Sequence, residues 1–384
     1  MSAHAATHDQ LFEGDGRSLR ESIDLRKAAL VGLVVLLVVA ALVTALPGAY
    51  AAVSEGVGKL GNADVGWLLV GLGFSALSFL GHVVLFRGVF VDQSSRIDYG
   101  ASYDITMAGH AATRLLGAAG AGGVALTVWA LKRSGMAART VATRMVGFMV
   151  LLYSFYALSV AVAGLGLWAG VFAGGGSVAT TLVPGLVALA IVGGAIAAAI
   201  FARRRFGAIA ESGDAAGWRV RLAKASVAVG DGVRAAGEVV QRRDPRLIGG
   251  LMWWAFDIAV LWASFRAFGE APPFAVLVLA YFLGLVGNTL PFLGSVGGVD
   301  GGMIAALVAF GANPAAAIVA VIVYRLFSCW APTIPGAISF ARLRRRAAAW
   351  QREDRGEAPA PADLATARRR RVGGPGFAAG PLAA

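Results

Sequence analysis

The sequence predicts an all-α integral membrane protein with about six full spans and two re-entrant, glycine-rich hairpins arranged as inverted repeats. Three observations carry that prediction. The 384 residues are 58% hydrophobic and only 15% charged, with a mean hydropathy of +0.70; soluble domains are about 25% charged. Apolar runs recur at the ~20-residue length that crosses a bilayer as a helix. Two further weakly charged stretches, each with glycines at its centre, begin and end on the same side of the basic residues.

In chain order, residues 1–27 read as a cytoplasmic N-terminal segment, and residues 28–63 hold a first span, Ala28–Leu46, with an external loop. That span lies too deep, and lacks the small-residue cleavage site, for a removable signal. A first span–hairpin–span unit fills 64–168, with spans at Val65–Phe86 and Met145–Trp168 around a hairpin at Tyr103–Leu131. Residues 169–201 carry a connecting span, Thr181–Phe201. The stretch 202–246 is a basic cytoplasmic loop with an amphipathic helix whose apolar face holds Leu222, Val229, Val233, Ala236 and Val240. Such a helix is expected to lie on an anionic leaflet and to link the two units. The second unit fills 247–343, with spans at Leu247–Phe268 and Ala315–Phe340 around a hairpin at Phe274–Asn313. Residues 344–384, rich in Ala, Pro and Arg, read as a disordered basic tail, with Arg368–Arg371 placed to meet acidic headgroups.

The net charge of +12 reports topology rather than nucleic acid. With both termini in the cytoplasm, Lys59 is the one basic residue left in an external loop. Arg114, Arg144, Arg266 and Arg325 lie in or at the edge of the bilayer, and the remaining Lys and Arg are inside. This is the bias of the positive-inside rule. Cys329 is alone and His4, His8, His82 and His110 are scattered, so no metal site and no cofactor are expected.

The hairpins resemble each other. "GGVALTVWALKRSG" from Gly122 to Gly135 parallels "GGVDGGMIAALVAFG" from Gly297 to Gly311. In each, paired glycines and a valine open an apolar helix that stops at glycine. Gly120, Gly122 and Gly123 mark the first turn; Gly294, Gly297 and Gly298 mark the second, since glycine tolerates a tight reversal. Inverted repeats with broken helices at mid-membrane belong to transporters, with the substrate at the repeat interface. The alternative is that small residues simply let helices pack closely.

Ionisable residues inside a bilayer are costly and usually face a cavity or a partner. Arg114 and Arg325 are candidates to grip a phosphate through the guanidinium fork, or else to snorkel to the nearest interface. Asp300 opens the second returning helix, where it either orients a polar headgroup or bridges to Arg325 or Arg114. Asp257, inside the fifth span, is a further substrate-site candidate. Asn288, just before Pro291, stands with them, its other role being to satisfy backbone groups freed by the proline. His110 is a weak proton-relay candidate because no second His or carboxylate stands one turn away. Trp253, Trp254 and Trp330 read as interface anchors. No catalytic residue stands out.

The stretch "LPFLGSVGGVDGGMIAALVAFGANPAAAIVAVIVYRLFSCWAPTIPGAISF" resembles the C-terminal signature of the lysylphosphatidylglycerol synthase transmembrane, or flippase-like, family. Asp300 takes the family's acidic position, and Tyr324 with Arg325 its Tyr-Arg pair. The first hairpin, "HAATRLLGAAGAGGVALTVWALKRSGM", resembles the matching N-terminal signature but departs from its Pro-x-Arg-x-Gly-Glu form, reading Gly117, Ala119, Gly120 and Ala121. The resemblance implies lipid handling: founding members join this membrane block to a cytoplasmic aminoacyltransferase and move the aminoacylated lipid outward. No such second domain is evident here, so lysyl transfer by this chain is not expected. The implied function is a flippase for an anionic or aminoacylated phospholipid, or a lipid-linked intermediate. The alternative is a membrane enzyme or scaffold acting with a separate lipid-headgroup or polyprenyl-phosphate synthase. Its partners are then phospholipids and a separate lipid-modifying enzyme.

Overall fold

The computed structural model describes residues 60–92, 95–115, 121–211, 218–269, 271–286 and 298–356, together with Ser54, Glu55 and Gly58. Everything regular among them is helical. The predicted first span, Ala28–Leu46, and the hairpin-tip residues Gly120, Asn288, Gly294 and Gly297 lie outside the described residues.

Helix α1, Val65–Phe90, starts where Asp64 accepts hydrogen bonds from the amides of Gly66 (2.8 Å) and Trp67 (3.4 Å), satisfying two of the donors that a helix start leaves free. Helices α2, Tyr99–Leu115, and α3, Ala121–Arg133, form the first packed pair. They approach so closely that a Cβ on Gly123 would meet the Gly109 carbonyl at 2.6 Å and overlap the Thr113 hydroxyl. Helix α4, Ala138–Trp168, closes this unit. Two connecting helices follow, α5 at Leu182–Glu211 and α6 at Trp218–Gln241.

Helix α7, Ile248–Arg266, begins the second unit after a short turn of 3-10 helix at Pro245–Leu247. Helices α8, Phe274–Val286, and α9, Gly298–Ala309, form its packed pair. Here a Cβ on Gly284 would come within 2.9–3.0 Å of Met303, and one on Gly302 within 3.3 Å of Gly284. Helix α10, Pro314–Arg325, is capped by Asn313, which accepts from the Ala316 amide at 3.1 Å, with proline at its first position. It runs through a wider π turn, Leu326–Trp330, into α11, Thr333–Asp354.

Both short returning helices stop in the same way. Gly135 (φ +90°) and Gly311 (φ +89°) adopt the left-handed conformation. The Met136 amide reaches back to the Leu131 carbonyl at 3.2 Å, and Ala312 reaches Leu307 at 3.0 Å. Each is a Schellman ending, which needs glycine at that position.

The units meet through α1 and α7, where Gly81 and Gly249 bring the two backbones together. Across the rest, α2 packs on α11 and α8 on α4. One apolar core runs through these contacts, from Phe90, Ile105 and Leu131 to Leu261, Leu277 and Leu307. The outward faces carry exposed Leu69, Leu72, Leu80, Leu186, Ile191 and Ile196, which suits contact with lipid tails.

Among the described residues, four helical stretches are long and apolar enough to cross a membrane: Val65–Phe90, Ala138–Trp168, Pro245–Arg266 and Pro314–Asp354. Leu182–Ala197, Phe274–Leu285 and Val299–Ala309 are shorter apolar helices. The chain is an integral membrane protein.

Three details differ from the expectations. The helix at 218–241 packs on α4 and α5, with Ala236 buried and Gly232 against Val146 and Gly147, so only part of its apolar face is turned outward, where Val229 and Val240 stay exposed. The last helix continues to Asp354, beyond the expected start of the tail at 344, because Leu343, Ala347 and Trp350 extend a buried stripe at helical spacing. Trp254 is buried rather than interfacial, its indole N–H donating to the Leu152 carbonyl at 3.0 Å.

Candidate functional site

Helix ends position the charged side chains. Asp300 stands in the first turn of α9, while Arg114 and Arg325 stand in the last turns of α2 and α10. This matches the helix dipole, which favours anions at helix starts and cations at helix ends. Asp257 sits mid-way along α7, buried.

Arg325 and Asp300 form an ion pair through Arg325 Nε and Asp300 Oδ1, with side chains only 13% and 22% exposed. Of the two roles open to Asp300, the bridge to Arg325 is the one observed. A second donor of the same guanidinium, Nη2, is buried and has no hydrogen-bond partner among the described residues. Such a group costs free energy wherever nothing accepts from it.

Beside this pair, Asp257 Oδ2 accepts from two phenols, Tyr281 at 2.6 Å and Tyr324 at 2.8 Å. One carboxylate thus ties α7, α8 and α10 together. Arg114 itself makes no hydrogen bond or ion pair among the described residues, and it shares a small crevice with His110, Ser328 and Cys329. That crevice follows the π turn, where the Phe327 carbonyl accepts instead from Ser75 of α1 at 2.8 Å. A π turn often marks a functional position within a helix.

Of the predicted site residues, the structure places Arg114, Asp257, Asp300, Tyr324 and Arg325 at the ends and middle of four helices. Gly122, Gly123 and Gly298 fall in the first turns of α3 and α9.

A family description, the lysylphosphatidylglycerol synthase TM region, matches residues 28–336. The chain belongs to this family. A comparison with curated proteins gives no match. The family span covers both helix pairs and every charge just described, so the resemblance read from the second hairpin extends to the first, despite its departures.

Sequence reasoning missed three features of this family member. Tyr281, the second phenol on Asp257, is 24 residues from its partner and looks like any apolar-helix tyrosine. His110 has a histidine partner after all: its Nε2 lies 3.0 Å from His82 Nδ1, on α1, with the His82 ring against Trp253. Asp104 is buried on α2 and pairs with Arg342 (2.9 Å) and Arg346 (3.2 Å) of α11. A carboxylate alone in an apolar helix was the available signal.

Proposed function

We propose that this protein moves an anionic or aminoacylated phospholipid, or a lipid-linked intermediate, between the leaflets of a bacterial plasma membrane. The observation that carries the reading is a buried guanidinium donor, Arg325 Nη2, with no partner among the described residues, while Arg114, from the other half of the chain, lies in a crevice lined by Ser328 and Cys329 of the next turn. Two guanidiniums there can hold a phosphate through paired, charge-assisted hydrogen bonds. A headgroup held by fixed charges avoids much of the cost of crossing hydrocarbon, which is the barrier to flipping. Asp257, Tyr281 and Tyr324 would keep the site polar.

An inverted repeat underlies the proposal, with α1 to α4 corresponding to α7, α8, α9 and α10–α11. Several features support it. The helix pairs α2–α3 and α8–α9 each pinch at glycine, and both returning helices end in the same glycine motif. Exchanging the units maps the contact of α2 with α11 onto that of α8 with α4, and α1–α7 onto itself. In this scheme the pairs are re-entrant hairpins whose tips approach from opposite leaflets.

Headgroup translocation in proteoliposomes tests the reading. Arg114→Ala and Arg325→Ala should each cut the rate at least tenfold, with Arg325→Lys recovering part of it because the bidentate fork is lost. If both alanine variants translocate lipid at the wild-type rate while merely melting lower, these charges are braces and the proposal fails.

A further inference from the structure

Away from the hairpin charges, the last turn of α1, the first turns of α4 and the end of α6 enclose a cavity of about 800 Å³. That is within the range of small-molecule sites, about 300–1,000 Å³. Five arginines line it: Arg87, Arg139, Arg144, Arg242 and Arg246.

Three carboxylates share the lining, and their partners decide what charge remains. Asp244 is used by Arg246, with contacts of 2.6–2.9 Å. Asp92 is used by Arg144 at 3.1 Å. Glu238 stands 3.8 Å from Arg242 one helical turn on, both well exposed. Arg87 has no carboxylate partner among the described residues. It donates to the Ser102 hydroxyl at 2.9 Å and the Ile97 carbonyl at 3.4 Å and lies over the Tyr99 ring, and its Nε is buried without a hydrogen bond among the described residues. Arg139 makes no ion pair or hydrogen bond among the described residues and is exposed. Two guanidiniums, on α1 and α4, are therefore left uncompensated across one cavity. The remaining wall is apolar, with Val89, Leu151 and Val239.

We infer that this cavity is a second anion site, binding a phosphate group between Arg87 and Arg139, with the apolar wall taking the alkyl portion of an amphiphile. The chemistry is that of guanidinium forks on phosphate oxygens beside a hydrophobic surface. The site shares no residue with the hairpin cluster and stands whether or not that cluster transports lipid.

The test uses the full chain purified in a neutral detergent. One arm titrates inorganic phosphate by calorimetry; the other adds phosphatidylglycerol to the micelles and follows thermal stabilisation. Saturable binding in either arm is expected, the responding arm identifying free phosphate or a lipid headgroup as the source. Arg139→Gln should weaken it roughly tenfold or more, as the loss of a charge-assisted hydrogen bond does. Arg139→Lys should restore part of the affinity. Arg345→Gln, which removes an exposed charge on α11 outside the cavity, should leave affinity unchanged. Because Arg139 makes no bond of its own, its variant is expected to fold; a circular-dichroism melt without ligand checks this. If neither arm saturates, or if Arg345→Gln weakens binding as much as Arg139→Gln, the cavity is not a phosphate site.

Discussion

Tyr324 donates its hydroxyl to Asp257 across 2.8 Å, and the next residue in the chain, Arg325, pairs with Asp300. Successive side chains on a helix point about 100° apart, so the Tyr-Arg pair serves two carboxylates on two different helices. The pair therefore joins α7 and α9 to α10, which is a geometric reason for those two residues to stand together.

Replacing Asp257 separates its acceptor role from its charge. Asp257→Asn keeps an oxygen for both phenols and should cost less stability than Asp257→Leu, which leaves two buried hydroxyls unpaired at about 1–3 kcal/mol each. Denaturant titration in mixed micelles measures the difference. If the charge also serves transport, Asp257→Asn will hold its fold and still lose translocation. Equal stability of the Asn and Leu variants would show that the phenols find other acceptors.

The ion pair of Asp300 and Arg325 predicts strong coupling. Each alanine variant breaks a partly buried charge pair and should cost up to about 3–5 kcal/mol. The double variant should cost less than the two together, by about 0.5–3 kcal/mol. Additive effects in this cycle would mean that the two side chains act independently.

Close packing of α1 on α7 depends on Gly81. A methyl there would come within 2.7–2.8 Å of Met252 Cβ, the Gly249 carbonyl and the Trp253 amide. Backbone cannot yield as a side-chain tip can, so Gly81→Ala should destabilise by about 1–3 kcal/mol. Gly73→Ala on the same helix meets open space and should be neutral or slightly stabilising. Matching melting points for the two variants would contradict the close crossing.

Acid should loosen the turn before α7. Hydrogen bonds from Arg246 hold the Asp244 carboxyl below its ordinary range. A carboxyl lowered on folding adds stability above its unfolded value of about 3.9, and loses it as pH falls through the lower folded value. Asp244→Asn should thus melt below wild type at neutral pH, with the gap closing under pH 4. A gap that stays undiminished as pH falls below 4 would show that the carboxylate charge is not what stabilises the turn.

Much of this architecture is legible in the sequence because a bilayer demands it. The apolar runs and the glycine helix stops at Gly135 and Gly311 follow from span length and glycine spacing. So do Arg114, Asp257, Asp300 and Arg325, since a charge in an apolar run is conspicuous. What stays hidden is pairing between helices distant in the chain. His82 meets His110 only because α1 lies beside α2, and no periodicity within either helix encodes that. The helix at 218–241 shows why amphipathicity is ambiguous: an apolar stripe suits a leaflet or a protein neighbour equally well, and here Gly147 and Gly232 meet in close contact while Val229 and Val240 stay exposed.

The bond between Asp104 and Arg346 spans 242 residues of chain. At synthesis rates of roughly 5–20 residues per second, α2 waits about 10–50 s after it is made before its cationic partners leave the ribosome. During that interval the carboxylate has neither Arg342 nor Arg346, the partners it finds in the finished fold. Assembly of the first half therefore cannot be completed before the last helix arrives, and a chain cut short before α11 should be a target for membrane quality control.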